Sequence, residues 1–260
     1  MQNVNRLKQI LDSGSIALGT CVDSYSPSVV EVSGYSGLDF VRIDTEYSWR
    51  RDDSLEHMLR AAVIAELTPI VRIEKGNHYL VSKALQIGAG GVLVSDVEST
   101  QETIEVVRSA KFAPRGIRGY SSYSFSAGWG TYGGKDWIDR SNNEILVGIM
   151  VENESILSSI DEVMATEGLD FCLFGPADFS MSIGLGYPQS NHHRVIDALK
   201  KTVDASIKHN VAVGIGIGQP WQENAHKYMD MGCRLLEIGH DLGILKSAWH
   251  SAITEIKQAG

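Results

Sequence analysis

The sequence of 260 residues has little cysteine and no apolar run near the roughly 20 residues that span a bilayer. Its three cysteines, Cys21, Cys172 and Cys233, lie far apart and match no metal-binding or redox spacing. Each lies in or beside an apolar segment, where cysteine behaves as a small hydrophobic residue. These features predict buried thiols in a reducing compartment and exclude a disulfide framework.

Positive charge is also scarce, because 23 Lys and Arg residues stand against 32 Asp and Glu, which gives a net charge of -9. Nucleic acids and anionic membranes require clustered basic residues, so we expect neither as a partner. The first residues, MQNVNRLKQILDSG, predict an amphipathic helix and lack the continuous apolar region of a signal peptide. We therefore expect a cytoplasmic protein.

Apolar, β-branched segments alternate with segments of helical period along the whole chain. The apolar segments are SIALGTCV, LDFVRID, LTPIVRI, GGVLVSD, ILVGIMVE, LDFCLFG, VAVGIGIG and CRLLEIG. Parallel strands that are buried on both faces have continuous apolar runs of this kind. The pattern predicts an α/β fold, a single-domain (β/α)8 TIM barrel over residues 1–260. A doubly wound sheet is the alternative, but CVDSYSPSV after the first strand lacks the glycines of a dinucleotide-binding turn.

One segment, from about residue 114 to 143, does not fit this alternation. It is rich in Gly, Ser and aromatic residues and predicts a long loop, a kind of segment that often serves as a lid or binding loop. Its place after the fourth strand and the following helix puts it on the bottom side of the barrel. It either folds back to an active rim, in its own or a neighbouring subunit, or forms a subunit interface.

Acidic side chains follow several predicted strands, and active sites of (β/α)8 barrels lie at the carboxyl ends of the strands. A hard divalent cation such as Mg2+, Mn2+ or Co2+ often takes only one or two carboxylates, with water and substrate completing its shell. Glu152 and Asp178 predict such a metal site, with Asp44 and Glu46 orienting the metal's water molecules. The alternative is that strand-end acids only cap the following helices.

The segments GLDFVRIDTE, IVRI, KFAPRGIRG, VEN and GPADFSMSIG resemble the HpcH/HpaI aldolases, metal-dependent class II enzymes related to citrate lyase β-subunits. The resemblance implies a barrel, usually a hexamer of domain-swapped dimers, that cleaves or forms a carbon–carbon bond next to a pyruvate-like 2-oxo acid. A carbonyl compound would be the acceptor. By position, Glu152 and Asp178 are implied as metal ligands, and Arg72 as the residue that holds the oxygens of the 2-oxo acid.

The resemblance also implies that the backbone amides from Gly175 through Pro176 and Ala177 to Asp178 hold the substrate carboxylate. An aldol step passes through an enolate, whose charge a divalent cation and a guanidinium stabilise directly. Arg72 is therefore the strongest catalytic candidate, and a salt bridge within the barrel is the alternative for it.

Two positions depart from the family pattern. The usual base is a histidine in D-x-E-H after the second strand, paired with an aspartate in L-D-x-G. These segments read DTEY and LQIG here, so Tyr47 and Gln86 replace both members of the dyad. Because an ordinary tyrosine titrates near pH 10, Tyr47 is better suited to donating a hydrogen bond or acting as a general acid.

His240, in EIGHDLGIL, is the histidine expected near the barrel mouth, where it either replaces the missing base or makes a structural hydrogen bond. Two functions follow. The first is a metal-dependent carbon–carbon lyase acting on a pyruvate-type 2-oxo acid. The second is a non-aldolase member, either a 2-oxo-acid-binding protein or an enzyme of altered chemistry, such as a condensing synthase or an oxaloacetate decarboxylase. Decarboxylation needs no external base, because loss of CO2 itself generates the enolate.

Overall fold

The computed structural model describes residues 5–47 and 53–258, and they form a closed barrel of eight parallel strands. Each strand pairs with the next in chain order, and β8 closes the barrel against β1. The strands are β1 Ala17–Val22, β2 Phe40–Asp44, β3 Thr68–Ile73, β4 Gly91–Val94, β5 Leu146–Val151, β6 Phe171–Phe174, β7 Ala212–Ile217 and β8 Leu235–His240. All eight lie within or next to the apolar segments of the sequence, so the predicted (β/α)8 barrel is confirmed.

Helices surround the strands. Those of the described residues are α1 Arg6–Asp12, α2 Pro27–Tyr35, α3 Ser54–Ile64, α4 His78–Gln86, α5 Thr100–Ala110, α6 Gly134–Glu144, α7 Glu154–Ser158, α8 Ile160–Met164, α9 Pro176–Ser182, α10 His193–His209, α11 Trp221–Asp230 and α12 Asp241–Gln258. No helix in the described ranges is long and apolar enough to cross a membrane.

The core consists of two apolar layers, one inside the barrel and one between the strands and the helices. Residues inside the barrel, including Phe40, Ile70 and Leu173, pack together, and Leu7 and Leu11 of α1 belong to the same cluster and close it from below. Both faces of most strands are therefore buried. This explains why the strands appear in the sequence as unbroken apolar runs and lack an alternating pattern.

The expectation of an irregular segment from 114 to 143 is wrong for its second half. After a short 3-10 segment, Phe125–Gly130, the chain forms α6. Trp137 of α6 is buried against Phe112, with the ring centroids 5.1 Å apart. The rest of α6 is mostly polar, GKDWIDRSNNE, so the sequence has no apolar periodicity there to indicate a helix.

The same segment lies at the bottom of the barrel, as its position in the chain predicts. Oε2 of Glu144, the last residue of α6, accepts a hydrogen bond from the backbone N–H of Asn5 at 3.0 Å, and Asn5 caps α1. In the described chain the segment therefore lies at the opposite end of the barrel from the carboxyl ends of the strands.

α12 differs from the other long helices because none of its residues is buried. Five large apolar side chains on it are between 43% and 73% exposed: Leu242, Leu245, Trp249, Ile253 and Ile256. Their spacing of three or four residues places them along one face of the helix. The described chain thus leaves a continuous apolar helix face uncovered.

Candidate active site

Charged side chains replace apolar ones at the top of the barrel interior. Five of them are no more than 7% exposed: Arg42, Asp44, Arg72, Glu152 and Glu237. Arg42 and Asp44 are two residues apart on β2 and share a face of the strand. Buried charges require partners, so their ion pairs determine the shape of the site.

Arg72 lies at the centre of these ion pairs. Its Nη1 donates to Oδ2 of Asp44 at 3.1 Å, and its Nη2 lies 2.6 Å from Oε2 of Glu46 and 3.4 Å from Oε2 of Glu152. Burial opposes the charge of Arg72, but Asp44 and Glu46 outweigh it and raise its pKa. Arg72 is therefore a fixed cation whose buried Nε is left without a hydrogen-bond partner among the described residues.

Glu152 follows β5, and Asp178 lies in the first turn of α9, after β6. Oε1 of Glu152 accepts a hydrogen bond from the backbone N–H of Asp96 at 2.7 Å. Burial raises the pKa of Glu152, and the charge of the exposed Asp178 raises it further. The structure thus brings these two acids to one rim, close enough to repel each other.

The donor set at this rim fits a hard divalent cation. Carboxylates outnumber guanidinium groups by five to two, the carboxylates being those of Asp44, Glu46, Glu152, Asp178 and Glu237. Oε2 of Glu46 is buried and, in the part of the chain described, makes no hydrogen bond of ordinary geometry despite the short ion pair to Arg72. Burial also raises the pKa of Glu46. Excess carboxylate oxygen in a partly buried site is what Mg2+ or Mn2+ requires.

The turn between β6 and α9 narrows the choice of amides that could bind a carboxylate. The N–H of Gly175 already donates to the backbone oxygen of Val151 at 3.0 Å. Pro176 has no N–H to donate. Contrary to expectation, Gly175 and Pro176 therefore have no free amide for the substrate carboxylate. The amides of Ala177 and Asp178, in the first turn of α9, remain as candidates.

The turn after β6 requires glycine at position 175, because a side chain there would be too close to its neighbours. A Cβ atom there would lie 3.0 Å from Cβ of Glu152 and 3.1 Å from Cε of Met150. Both contacts are closer than ordinary van der Waals separation, so a side chain at this position would push on Glu152. The glycine lets the turn after β6 pass directly behind the predicted metal ligand.

The two residues that replace the family dyad do not meet within one chain. Tyr47 lies at the mouth, 72% exposed, with its ring 5.1 Å from Cζ of Arg72. Burial raises the pKa of Tyr47, which keeps its hydroxyl protonated at neutral pH. Gln86 is the last residue of α4, and this helix runs from the mouth to the bottom of the barrel. Gly90, four residues later, accepts a hydrogen bond from Asn5 at the bottom. Tyr47 therefore has no Gln86 partner in its own subunit.

His240 ends β8 at the same rim, beside a residue that the sequence analysis missed. Its Nδ1 lies 2.7 Å from Oδ2 of Asp23, and the histidine side chain is 57% exposed. Asp23 follows β1 as Glu152 follows β5, so the strand-end rule applied to the first strand would have found it.

A second missed pair, Arg42 and Glu237, connects this side of the mouth to Arg72. Nε and Nη2 of Arg42 donate to the two oxygens of Glu237 at 2.7 and 2.9 Å, and Nη1 donates to Oδ2 of Asp44 at 3.0 Å. Asp44 in turn accepts from Arg72. The signal for this pair is a charged residue inside an apolar strand, as in FVRID and LLEIG.

Comparison with known proteins places this geometry in a family. The HpcH/HpaI aldolase/citrate lyase family matches residues 18–248. A 5-keto-4-deoxy-D-glucarate aldolase from Enterobacter sp. (strain 638) is 28% identical over 255 residues, which cover 98% of this chain and 97% of that protein.

Solved structures give the same result. Citrate synthase SbnG is 28% identical with a TM-score of 0.86, covering 98% of both chains. The HpcH/HpaI aldolase from Desulfitobacterium hafniense DCB-2 is 26% identical with a TM-score of 0.89, covering 96% of both chains. The family is enzymatic, and relatives named as aldolases are carbon–carbon lyases. The chain belongs to the HpcH/HpaI aldolase/citrate lyase family.

Proposed function

We propose that the protein is a metal-dependent carbon–carbon lyase that cleaves or forms a bond next to a pyruvate-type 2-oxo acid. The observation that carries this proposal is the buried Arg72, fixed by three carboxylates and retaining an unpaired Nε donor. A fixed cation in a partly buried site favours the enolate over the keto form of the 2-oxo acid, because the enolate carries an additional negative charge on oxygen.

Glu152 and Asp178 are the proposed metal ligands, with Asp44 and Glu46 orienting the surrounding water. A divalent cation, Mg2+ or Mn2+ by preference, would supply further positive charge beside the 2-oxo group when bound. The amides of Ala177 and Asp178 hold the substrate carboxylate, and Tyr47 donates a hydrogen bond from the open side of the mouth. Position at the rim and the family resemblance support each role.

A condensing synthase is the second candidate. One of the solved structures most similar to this chain is named as a citrate synthase. The enolate-stabilising group, Arg72, serves bond formation and bond cleavage equally, since both directions share one transition state. Turnover in the synthetic direction alone would favour this candidate.

The test measures two reactions on protein stripped by a chelator and then given Mg2+, Mn2+ or Co2+. The first is decarboxylation of oxaloacetate to pyruvate. The second is the aldol reaction, which is assayed in both directions, as cleavage of 5-keto-4-deoxy-D-glucarate and as addition of pyruvate to a panel of aldehydes. We expect both activities to depend on the metal and to disappear in Glu152→Gln. Glu98→Gln, which removes an exposed strand-end acid paired with Lys75, is the matched control.

Full activity after exhaustive chelation would contradict the metal-dependent mechanism. Binding of pyruvate or oxalate without turnover of either kind would instead support a 2-oxo-acid-binding protein.

We also propose that the protein forms a homo-oligomer through the apolar face of α12 described above. A face of this length on a helix with no buried residue is covered most simply by a second copy of the chain. The resemblance implies a hexamer. Light scattering should show a smaller particle for Trp249→Glu, while Lys246→Glu on the same exposed helix leaves the mass unchanged; an unchanged mass for both would contradict this interface.

A further inference from the structure

The side of the mouth formed by β8 and β1 contains a second chemical group that the proposed metal site does not use. Nδ1 of His240 lies 2.7 Å from Oδ2 of Asp23 although the two residues are 217 positions apart. A carboxylate bound to one imidazole nitrogen fixes the tautomer, so that Nδ1 carries the proton and Nε2 is left as the basic nitrogen.

A local irregularity of the barrel brings the two residues together. Along β1 and β8, Gly19 pairs with Glu237, but Cys21 pairs with His240, so two steps on β1 match three on β8. The extra residue is accommodated next to Gly239, whose φ of 55° lies in the left-handed region that favours glycine. Oγ1 of Thr20 donates to the carbonyl oxygen of Ile238 at 2.9 Å and fixes the bulge.

Asp23 is held in place from two further directions. Sγ of Cys21 donates to Oδ1 of Asp23 at 3.2 Å, and burial raises the pKa of this thiol so that it remains a donor. The carboxylate of Asp241 accepts hydrogen bonds from the backbone N–H groups of Asp23 and Ser24 at 3.0 and 3.1 Å. These contacts hold the Asp23 carboxylate in position before any ligand binds.

The same hydrogen bonds account for the close approach of Cys21, Asp23 and His240 without a metal ion. Cys21, Asp23 and His240 offer ligand atoms within 4.8 Å of one another. Each of those atoms already takes part in a hydrogen bond inside the cluster, and a buried protonated thiol is a poor ligand. An imidazole oriented by a carboxylate is instead the usual arrangement of a general acid–base group.

We propose that His240 is the catalytic acid–base residue for the acceptor half of the substrate, with Asp23 as its positioning residue. This inference rests on the proposed function. The 2-oxo acid end binds at Arg72, and the ion pairs through Asp44, Arg42 and Glu237 connect that end to β8. In this proposal, a substrate longer than pyruvate extends across the mouth toward His240.

In cleavage, Nε2 of His240 takes the proton of the hydroxyl on the carbon that becomes the aldehyde. The O–H electron pair forms the new carbonyl bond, the carbon–carbon bond breaks, and its electron pair forms the enolate beside Arg72. The enolate takes a proton from water to give pyruvate, and the imidazolium returns its proton to water. In the addition direction the same steps run in reverse: water takes a proton from the methyl group of pyruvate to give the enolate, and the imidazolium protonates the aldehyde oxygen as the carbon–carbon bond forms.

Three charged groups affect the titration of His240: Asp23 beyond β1, Arg42 on β2 and Glu237 on β8. The neutral thiol of Cys21 on β1 and the carboxylate of Asp241 at the start of α12 contact Asp23. The hydrogen bond to Asp23 is the largest influence and raises the pKa of His240 above its usual 6.5, despite partial burial. Because the basic form acts in cleavage, the cleavage rate should rise with pH through this pKa.

The experiment compares two reactions of the Mg2+-loaded enzyme. Oxaloacetate decarboxylation involves no acceptor oxygen and serves as the reference, while the other reaction is cleavage of 5-keto-4-deoxy-D-glucarate or addition of pyruvate to glycolaldehyde. For His240→Ala we expect kcat of the aldol reaction to fall about 100-fold or more, with decarboxylation within about threefold of the wild type. Added imidazole should restore part of the aldol rate. His226→Gln, an exposed histidine on α11, is the control.

A second measurement does not depend on turnover. Proton NMR follows the imidazole of His240 with pH, identified by its absence in His240→Ala. In Asp23→Asn the pKa should move down toward that of ordinary histidine, and the rising part of the cleavage–pH profile should move with it.

The outcomes separate this inference from the proposed function. Equal losses of both reactions in His240→Ala, no loss in either, or a wild type that decarboxylates oxaloacetate without any aldol reaction would each overturn the inference alone. A wild-type enzyme that catalyses neither reaction with any metal would overturn the proposed function, and the inference with it.

Discussion

The two halves of the barrel mouth hold their charges in opposite ways. On the side of β3, β5 and β6, Arg72 and Glu152 are buried and fixed by several ion pairs. On the side of β8 and β1, His240 is largely exposed and has one strong partner, Asp23. A buried, fixed charge acts strongly on a bound anion, whereas an exposed imidazole exchanges protons with water.

In the proposed mechanism, one half therefore stabilises charge and the other half transfers protons. The family pattern has its histidine base at the position that Tyr47 occupies here, on the Arg72 side of the mouth. His240, proposed above as the acid–base residue, would instead act on the acceptor end of the substrate from the far side of the mouth. The buried pair Arg42–Glu237 lies between the two halves and connects them through Asp44.

The largest expected effect comes from the buried half. Arg72→Lys keeps the charge but cannot contact Asp44, Glu46 and Glu152 together, so kcat/KM for oxaloacetate decarboxylation should fall about 1000-fold. Steady-state kinetics measure this. Arg60→Lys, an exposed arginine on α3, is the control. Retention of more than about a tenth of the activity would contradict the central role of Arg72.

The boundary between the halves should matter for stability. Glu237→Ala leaves the buried Arg42 without its bidentate partner and should lower the free energy of unfolding by about 3 to 5 kcal/mol, measured by urea denaturation. The matched control, Asp161→Ala, removes an exposed partner of Lys208 and should change the free energy of unfolding far less, because water screens that pair. Similar values for the two variants would show that the buried pair is not structurally special.

A smaller effect tests how the turn after β6 supports the buried half. Gly175→Ala places a Cβ against Glu152 and Met150, which should destabilise the fold by about 1 to 3 kcal/mol and lower turnover about tenfold. Gly216→Ala on β7 meets no atom within 4 Å and is the control. Thermal unfolding and decarboxylation assays measure both, and equal behaviour of the two variants would argue against this role of Gly175.

The smallest effect distinguishes the exposed half by its pH dependence. Pairing raises the pKa of His240 and lowers that of Asp23. The stability that the fold gains from charged His240 is lost as pH rises through the raised pKa of His240. The stability that it gains from charged Asp23 is lost as pH falls through the lowered pKa of Asp23. His240→Gln should therefore destabilise the protein more at pH 5 than at pH 8, by less than about 1 kcal/mol because of solvent screening. An equal difference in unfolding free energy at both pH values would contradict the pairing.

Most of the fold was predictable because its signals are local. Each strand is a continuous apolar run, and parallel order brings all strand ends to one rim, so Arg72, Glu152 and Asp178 could be expected together without knowing any contact. α6 was missed because its only large buried side chain, Trp137, gives no helical period. Arg42 and Glu237 were missed because isolated charges in apolar strands were not treated as a possible pair.

By itself, the sequence determined the barrel, the order of its strands and the acidic character of the mouth, since these depend on composition and on the period of each segment. Only the tertiary structure decided which groups meet. A one-residue bulge at Gly239 brings His240 to Asp23, a backbone hydrogen bond occupies the amide of Gly175, and the direction of α4 carries Gln86 away from Tyr47. These outcomes depend on register and chain direction over long sequence separations, which no local pattern encodes.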